Sequence, residues 1–105
     1  MVEPKRGEVW LVDLGIAAKV RPCLIISVPA IEENERALVA LLSHTTSPRG
    51  SRFEVQVKTR FLKPGVFDAQ SLVTVPRAKL IRRLGTLLDA QLVLVEQALR
   101  AWLDL

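Results

Sequence analysis

The sequence is poor in the residues that build disulfides, metal centres and membrane spans. It has one cysteine and one histidine among 105 residues, so an internal disulfide is impossible and a zinc site is not expected. The longest unbroken apolar run, residues 37–42, has six residues, whereas a membrane-spanning helix needs about 20. No apolar segment follows the charged N-terminal residues, which argues against a signal peptide. These absences predict a cytoplasmic protein, and the length predicts a single domain over residues 1–105.

Charged residues are distributed unevenly along the chain. There are 15 basic and 11 acidic residues, a net charge of +4, and residues 49–83 contain nine of the basic residues but only two acidic ones. A local excess of this kind favours a phosphate-bearing partner such as a nucleic acid. The alternative is a solvated basic face that binds nothing.

Short apolar runs separated by turn residues predict a mainly β chain. Residues 8–14 are rich in β-branched and aromatic side chains, and residues 53–57 alternate between apolar and polar, as in a strand with one buried face. Further strands are predicted over 22–28, 37–43, 71–75 and 80–87. Five or six short strands at this spacing predict a small barrel or a strongly bent sheet.

The C-terminal segment changes to a helical period. Asp89 is predicted to cap a helix over residues 90–103. One face of this helix is apolar and is predicted to pack on the sheet; its members are Leu92, Val95, Leu99, Trp102 and Leu103. The fold class is therefore mainly β with a C-terminal helix (α+β).

Glycine-rich phosphate loops and common hydrolase motifs are absent from the sequence. Its acidic residues are scattered, which does not suit a metal-dependent nuclease. What remains is Arg21, held extended by the following proline, and a Ser/His/Thr stretch over residues 43–47. Arginine and hydroxyl groups can bind a phosphoryl group and stabilise its transition state. Each also has an ordinary interpretation, as a surface arginine, as turn-forming hydroxyls and, for His44, as a strand-end hydrogen bonder.

Taken in order, these segments resemble the MazF/PemK (Kid) family of toxins from bacterial toxin–antitoxin modules. The resemblance runs from about Lys5 to the C-terminal helix. It rests on RGEVW at 6–10, RP at 21–22, TT at 45–46, FEV at 53–55 and FDAQSLV at 67–73. It implies an SH3-like bent β-barrel of the MazF/PemK/CcdB type and a homodimer. The loop before the RP step is shorter than in the family and lacks its Gly-Ser-Glu-Gln-like stretch.

The resemblance implies a toxin that is a sequence-selective, metal-independent endoribonuclease acting on single-stranded RNA, without a cofactor. A ribose 2′-hydroxyl would attack the adjacent phosphate, leaving a 2′,3′-cyclic phosphate and a 5′-hydroxyl. Matched to the family's motifs, the catalytic arginine is Arg21, which would stabilise the phosphorane and help to protonate the leaving oxygen. The catalytic threonine is Thr45, which would hold a non-bridging oxygen. His44 is a hypothetical general base, because the ordinary pKa of histidine is about 6.5, although strand neighbours point to opposite faces.

Binding partners follow from the same resemblance. RNA contacts are predicted for Lys19, Thr46, Arg49, Arg52 and Gln70. A cognate antitoxin with an acidic, partly disordered tail is expected to occupy the RNA groove.

Two other functions stay open. The chain could be a toxin of the same fold that binds a protein target such as gyrase, as CcdB does, through helix residues near Trp102. It could also be an inactive homologue that binds RNA or an antitoxin, which the short first loop motivates. The presence of Arg21 and Thr45 favours the nuclease.

Overall fold

The computed structural model of the protein describes residues 3–17 and 19–105, and in these it contains seven strands followed by one helix. The strands are β1 (Glu8–Asp13), β2 (Val20–Ile25), β3 (Leu38–Thr45), β4 (Glu54–Gln56), β5 (Val66–Asp68), β6 (Val73–Pro76) and β7 (Leu80–Thr86). The helix, α1, spans Asp89–Leu103, and single 3-10 turns at Ala69–Ser71 and Arg77–Lys79 flank β6. The predicted fold class, mainly β with a C-terminal helix, is confirmed.

All seven strands belong to one antiparallel sheet. Their order is β4-β5-β3-β2-β1-β7, and β6 pairs with β3. The long strand β3 lies at the centre and pairs with β2 along one edge. Along its other edge, β3 pairs first with β6 and then, at its C-terminal end, with β5. Within the described residues β4 and β7 end this order without pairing with each other. The predicted barrel is therefore an open one.

Both faces of the sheet carry buried side chains, because adjacent residues of a strand point to opposite sides. Leu24 and Leu42 belong to a cluster that includes Val95 of α1. Their neighbours Cys23 and Leu41 belong to a second cluster. The other buried members of the second cluster are Trp10, Val12, Ile25, Val39 and Leu80. All of them come from strands, so the sheet must curl over itself to bury them.

The helix α1 packs less of its length on the sheet than predicted. Val95 and Ala98 are buried, but Trp102 is 43% exposed and Leu103 is 42% exposed. Trp102 still contacts Phe53 edge to face, with ring centroids 5.3 Å apart. The last turn of the helix therefore reaches beyond the core. No helix in the described ranges is long and apolar enough to cross a bilayer.

The start of α1 differs from the prediction, because Leu88 and not Asp89 is the N-cap. Oε1 of Gln91 accepts a hydrogen bond from the Leu88 backbone N–H at 2.9 Å, which satisfies a donor that the helix itself leaves unpaired. Nε2 of Gln91 donates to the Lys58 carbonyl oxygen at 2.9 Å. Gln91 therefore joins the helix start to the loop before β5.

A buried carboxylate holds β1 to β7. Glu8 is 5% exposed, and it accepts hydrogen bonds from the Lys5 backbone N–H at 2.7 Å, from Trp10 Nε1 at 3.1 Å and from Arg83 Nη1 at 3.1 Å. Burial raises the pKa of Glu8, but these three donors outweigh it and leave the pKa below its usual value. Glu8 and Trp10 of the RGEVW segment thus have a structural role.

Candidate active site

The register of β2 and β3 places Arg21 and Thr45 side by side. Cys23 pairs with Ser43 in this antiparallel ladder, so the same register continued by two residues sets Arg21 opposite Thr45. Directly opposed side chains project to the same face of a sheet. Both residues line the same two cavities. The two residues matched to the family's catalytic pair are therefore neighbours.

The larger cavity is a cleft of about 560 Å³ beside the ends of β2 and β3. Besides Arg21 and Thr45, it is lined by Phe61 and Lys63 from the loop before β5 and by Arg82 from β7. Three cationic side chains and an aromatic ring thus border one cleft. Sites that bind single-stranded nucleic acids typically combine cationic side chains, which contact the phosphates, with aromatic rings, on which the bases stack.

The smaller cavity, of about 210 Å³, adjoins the cleft, because Arg21, Thr45 and Ser47 line both. Its lining is entirely polar or charged. The remaining members are Ser43, Arg49, Glu54 and Asp68. This cavity is a pocket in which positive and negative side chains meet at the end of β3.

Glu54 holds the loop on one side of the smaller cavity. Its carboxylate accepts hydrogen bonds from the backbone N–H groups of Arg49 at 2.9 Å, Gly50 at 2.7 Å and Ser51 at 2.9 Å. These bonds, that from Arg49 foremost, hold the pKa of Glu54 below its usual value. Glu54 therefore positions Arg49 at the cavity.

A hydrogen bond from the following loop orients the hydroxyl of Thr45. The oxygen Oγ1 accepts a hydrogen bond from the backbone N–H of Ser47 at 3.1 Å. A hydroxyl that accepts one bond still has a proton to donate. The Thr45 hydroxyl can thus act as a donor to an oxygen atom bound in the cavity.

His44 projects to the opposite face of β3 from Thr45. Its side chain is 4% exposed, borders the larger cleft and packs edge to face on Phe67, with ring centroids 5.2 Å apart. Burial lowers the pKa of His44, which favours the neutral ring. Its Nε2 has no hydrogen-bond partner among the described residues. Its role as a general base stays a prediction.

Cys23 does not offer a nucleophile beside Arg21. Burial raises the pKa of the Cys23 thiol to about 12, so the thiol stays protonated at ordinary pH. In residues 3–17 and 19–105, no group of three or more His, Cys, Asp or Glu side chains could hold a metal ion.

The structure brings two of the predicted RNA contacts to the site and leaves three outside it. Thr46 lines the larger cleft, and Arg49 lines the smaller cavity. Lys19, Arg52 and Gln70 are exposed but are not among the residues that line either cavity.

Sequence reasoning did not place Phe61, Lys63 or Asp68 in the site, and it left Arg82 open between an extension of the RNA-binding track and a solvated face. Lys63 and Arg82 belong to the basic segment over residues 49–83, which indicated a phosphate-bearing partner but not where on the surface it would bind. Arg82 reaches the cleft because β7 pairs with β1, where it stands opposite Leu11. No local pattern marked Phe61, and Asp68 was noted only as part of the FDAQSLV motif.

Both the sequence and the fold of the chain are similar to those of known proteins. Residues 5–103 match the family model described as PemK-like, MazF-like toxin of type II toxin–antitoxin system. An endoribonuclease from a mycobacterial species, solved in complex with its cognate antitoxin, is 27% identical, with a TM-score of 0.82 over 97% of this chain and 96% of that one. The Mycobacterium tuberculosis toxin MazF-mt6 is 28% identical, with a TM-score of 0.78 over 93% and 97% of the two chains. MazF in a MazE–MazF complex from Deinococcus radiodurans shares the fold, with a TM-score of 0.81 at 20% identity over 100% and 99%.

Proposed function

Because the chain belongs to the PemK-like, MazF-like toxin family of type II toxin–antitoxin systems, we propose that it is a sequence-selective endoribonuclease that cuts single-stranded RNA without a metal ion. Similar proteins of known structure include endoribonucleases. The observation that carries the proposal is the common position of Arg21 and Thr45 on two adjoining cavities.

Cleavage proceeds in this proposal by attack of a ribose 2′-hydroxyl on the neighbouring phosphorus. The bond from phosphorus to the 5′-oxygen breaks, leaving a 2′,3′-cyclic phosphate and a 5′-hydroxyl. The guanidinium of Arg21 stabilises the charge that develops on the phosphorane and helps to protonate the leaving oxygen. The hydroxyl of Thr45 donates to a non-bridging oxygen, and the bond from Ser47 supports this orientation.

The RNA strand follows the cations of the larger cleft. Lys63 and Arg82 would contact phosphates on either side of the cut. Thr46 and Arg49 would contact the same strand, and Lys19, Arg52 and Gln70, which line neither cavity, would contact it farther from the cut. Because binding to phosphates releases counterions, the affinity should fall steeply with salt.

An antitoxin with an acidic, partly disordered tail is the proposed protein partner, since the same cations would attract its carboxylates. The proposed active form is a homodimer in the cytoplasm. Val93 and Leu94 of α1 are 46% and 50% exposed. Apolar side chains of this kind leave surface for contacts with the antitoxin or with a second copy of the chain.

Primer extension on a long single-stranded RNA, incubated with the protein in EDTA, tests the nuclease. Arg21→Ala removes the group assigned to the phosphorane, so discrete cuts should appear with the wild type and vanish in this variant. Arg36→Ala is the matched control, because Arg36 is exposed and lies in the loop between β2 and β3. Intact RNA with the wild type would reject the nuclease. Growth arrest with intact RNA would favour the protein-binding toxin instead.

A further inference from the structure

Basic side chains continue past the larger cleft, on the loop that joins β4 to β5. Lys58 and Arg60 of this loop are exposed. Among the described residues, the side-chain ion pairs involve Arg6, Arg77 and Arg83, so no carboxylate there neutralises Lys58 or Arg60. The charge of these two side chains is therefore available to attract an anionic ligand.

Lys58 and Arg60 line a separate cavity, the outer groove, between this loop and the start of α1. The outer groove has a volume of about 400 Å³ and is lined by residues 58–61 and by Thr86, Leu88 and Gln91. Ligand pockets usually measure roughly 300–1,000 Å³, so this one is of a size for a single nucleotide. We propose that the outer groove binds one nucleotide of the RNA strand, outside the cleft in which the strand is cut. This inference rests on the proposed RNA substrate.

The outer groove adjoins the larger cleft, because Phe61 lines both. The Phe61 ring lies directly on the backbone of β7, where a Cβ atom at Gly85 would be 2.3 Å from Cε1. The ring also packs on the core cluster that includes Val95 of α1, which fixes its position, yet it stays partly exposed. An RNA strand that leaves the cleft can therefore pass this ring and enter the outer groove.

The lining of the outer groove suits a nucleotide better than a bare anion. Leu88 is 69% exposed, and its apolar side chain borders the groove together with the Phe61 ring and the two cations. Proteins that bind single strands combine cations for the phosphates with aromatic surfaces for the bases. None of the described residues that line the outer groove is acidic, whereas Glu54 and Asp68 line the smaller cavity. No carboxylate in this lining would repel a phosphate.

Gln91 ties the two walls of the outer groove together. Its Oε1 accepts a hydrogen bond from the Leu88 backbone N–H at 2.9 Å, and its Nε2 donates to the Lys58 carbonyl oxygen at 2.9 Å. These bonds join the start of α1 to the loop that carries Lys58 and Arg60. The outer groove is therefore preformed, so binding a nucleotide there does not require the loop to be ordered first.

RNA oligomers of two lengths test the outer groove. The core oligomer carries the mapped cut site and fills only the cleft, whereas the extended oligomers continue it by a few nucleotides on the 5′ or the 3′ side. All riboses are 2′-O-methylated, so binding is measured without cleavage. One of the two extensions should raise the affinity. If two phosphates bind Lys58 and Arg60, the slope of log affinity against log salt should steepen by about 1.4, which is roughly a sevenfold extra loss of affinity between 50 and 200 mM salt.

The double variant Lys58→Gln, Arg60→Gln removes both cations and keeps side chains of similar shape. The affinity gained by extension should disappear, so that the core and extended oligomers bind this variant equally. The matched control, Arg36→Gln with Lys79→Gln, makes the same change in net charge at two exposed residues that do not line the groove, and it should keep the gain. Because each result is a ratio between two oligomers, it is independent of the general loss of positive charge.

An extension of abasic riboses separates a nucleotide site from a track for phosphates alone. It keeps the phosphates but lacks the base that would contact Phe61 and Leu88. It should bind about 5- to 150-fold more weakly than the ordinary extension, the usual contribution of stacking one base. Equal affinity for the two extensions would overturn the assignment. No gain from either extension with the wild type, or a gain that persists without Lys58 and Arg60, would overturn it as well.

The two proposals fail in different ways. Wild-type protein that cuts RNA and binds the core oligomer, but gains nothing from extension, rejects only the outer groove. Wild-type protein that cuts no RNA rejects the nuclease, and the outer groove falls with it because its substrate is lost. Equal loss of the gain in the control variant would show that overall charge, and not this groove, holds the extension.

Discussion

Replacing Gly65 by alanine should displace the end of β3 that carries Thr45. A Cβ atom at residue 65 would lie 2.2 Å from the backbone oxygen of Thr45 and 2.8 Å from Cε1 of His44. Non-bonded heavy atoms are usually about 3.5 Å apart, so these atoms must separate by roughly 1 Å. The Thr45 oxygen belongs to the backbone and cannot rotate away. The paired ends of β3 and β5 must therefore move apart.

This displacement should affect both stability and cleavage. Overpacking of this kind costs about 1–3 kcal/mol in the free energy of unfolding. A misplacement of about 1 Å in a group that holds the reacting phosphate can slow the reaction by about 100-fold. Urea denaturation measures the first effect. Single-turnover RNA cleavage under conditions where the variant is folded measures the second.

Gly7→Ala separates lost stability from lost geometry. Gly7 has a φ of +93°, and a Cβ there would meet no atom nearer than 3.5 Å, from Leu92. Alanine at this φ costs about 1–3 kcal/mol through backbone strain, yet the change lies at the start of β1. Gly7→Ala should be destabilised but should keep the wild-type cleavage rate. Wild-type stability and cleavage in Gly65→Ala would refute the reasoning, as would equal loss of cleavage in both variants.

Three more substitutions test the packing around the site. Gly85→Ala would set a Cβ 2.3 Å from Cε1 of Phe61; it should lower the melting temperature and weaken RNA binding, and unchanged binding would show that the ring does not contribute to the cleft. Glu8→Gln should lower the free energy of unfolding by about 1–3 kcal/mol, because the charged bond to Arg83 is lost in a buried position; urea denaturation without a shift would contradict this. Burial lowers the pKa of His44, so stability should be full above about pH 6.5 and should decline below it, by at most about 1.4 kcal/mol per pH unit, as the unfolded chain takes up the proton first. Denaturation across pH should show a flatter profile in His44→Gln, and full cleavage by this variant at every pH would remove His44 as a base.

The strands were largely predictable because their patterns are local. The segment predicted over 8–14 is β1 (Glu8–Asp13), and the segment over 80–87 is β7 (Leu80–Thr86). Strand β5 (Val66–Asp68) was not predicted as an element of its own, since three residues are too few to show a period. The helix cap was misassigned to Asp89, because a glutamine that reaches back can satisfy the same donor.

The site was only partly predictable. Arg21 and Thr45 were identified through the resemblance, and their adjacency follows from the register of β2 and β3. Asp68 and Arg82 reach the site only through strand pairing, which joins β5 to β3 and β7 to β1. The FDAQSLV motif and the basic segment contain these two residues, but no local pattern shows which side chains they lie beside.

The sequence by itself determined the kinds of element and their order along the chain, because alternation, helical period and turn residues act over a few neighbours. Its scarcity of cysteine and histidine is likewise a property of the sequence alone. The tertiary structure decided which side chains meet. Strand register is the reason: a slip of one residue turns every side chain of a strand to the other face. With β5 shifted by one residue, Asp68 would no longer project to the same side as Thr45, although the sequence would be unchanged.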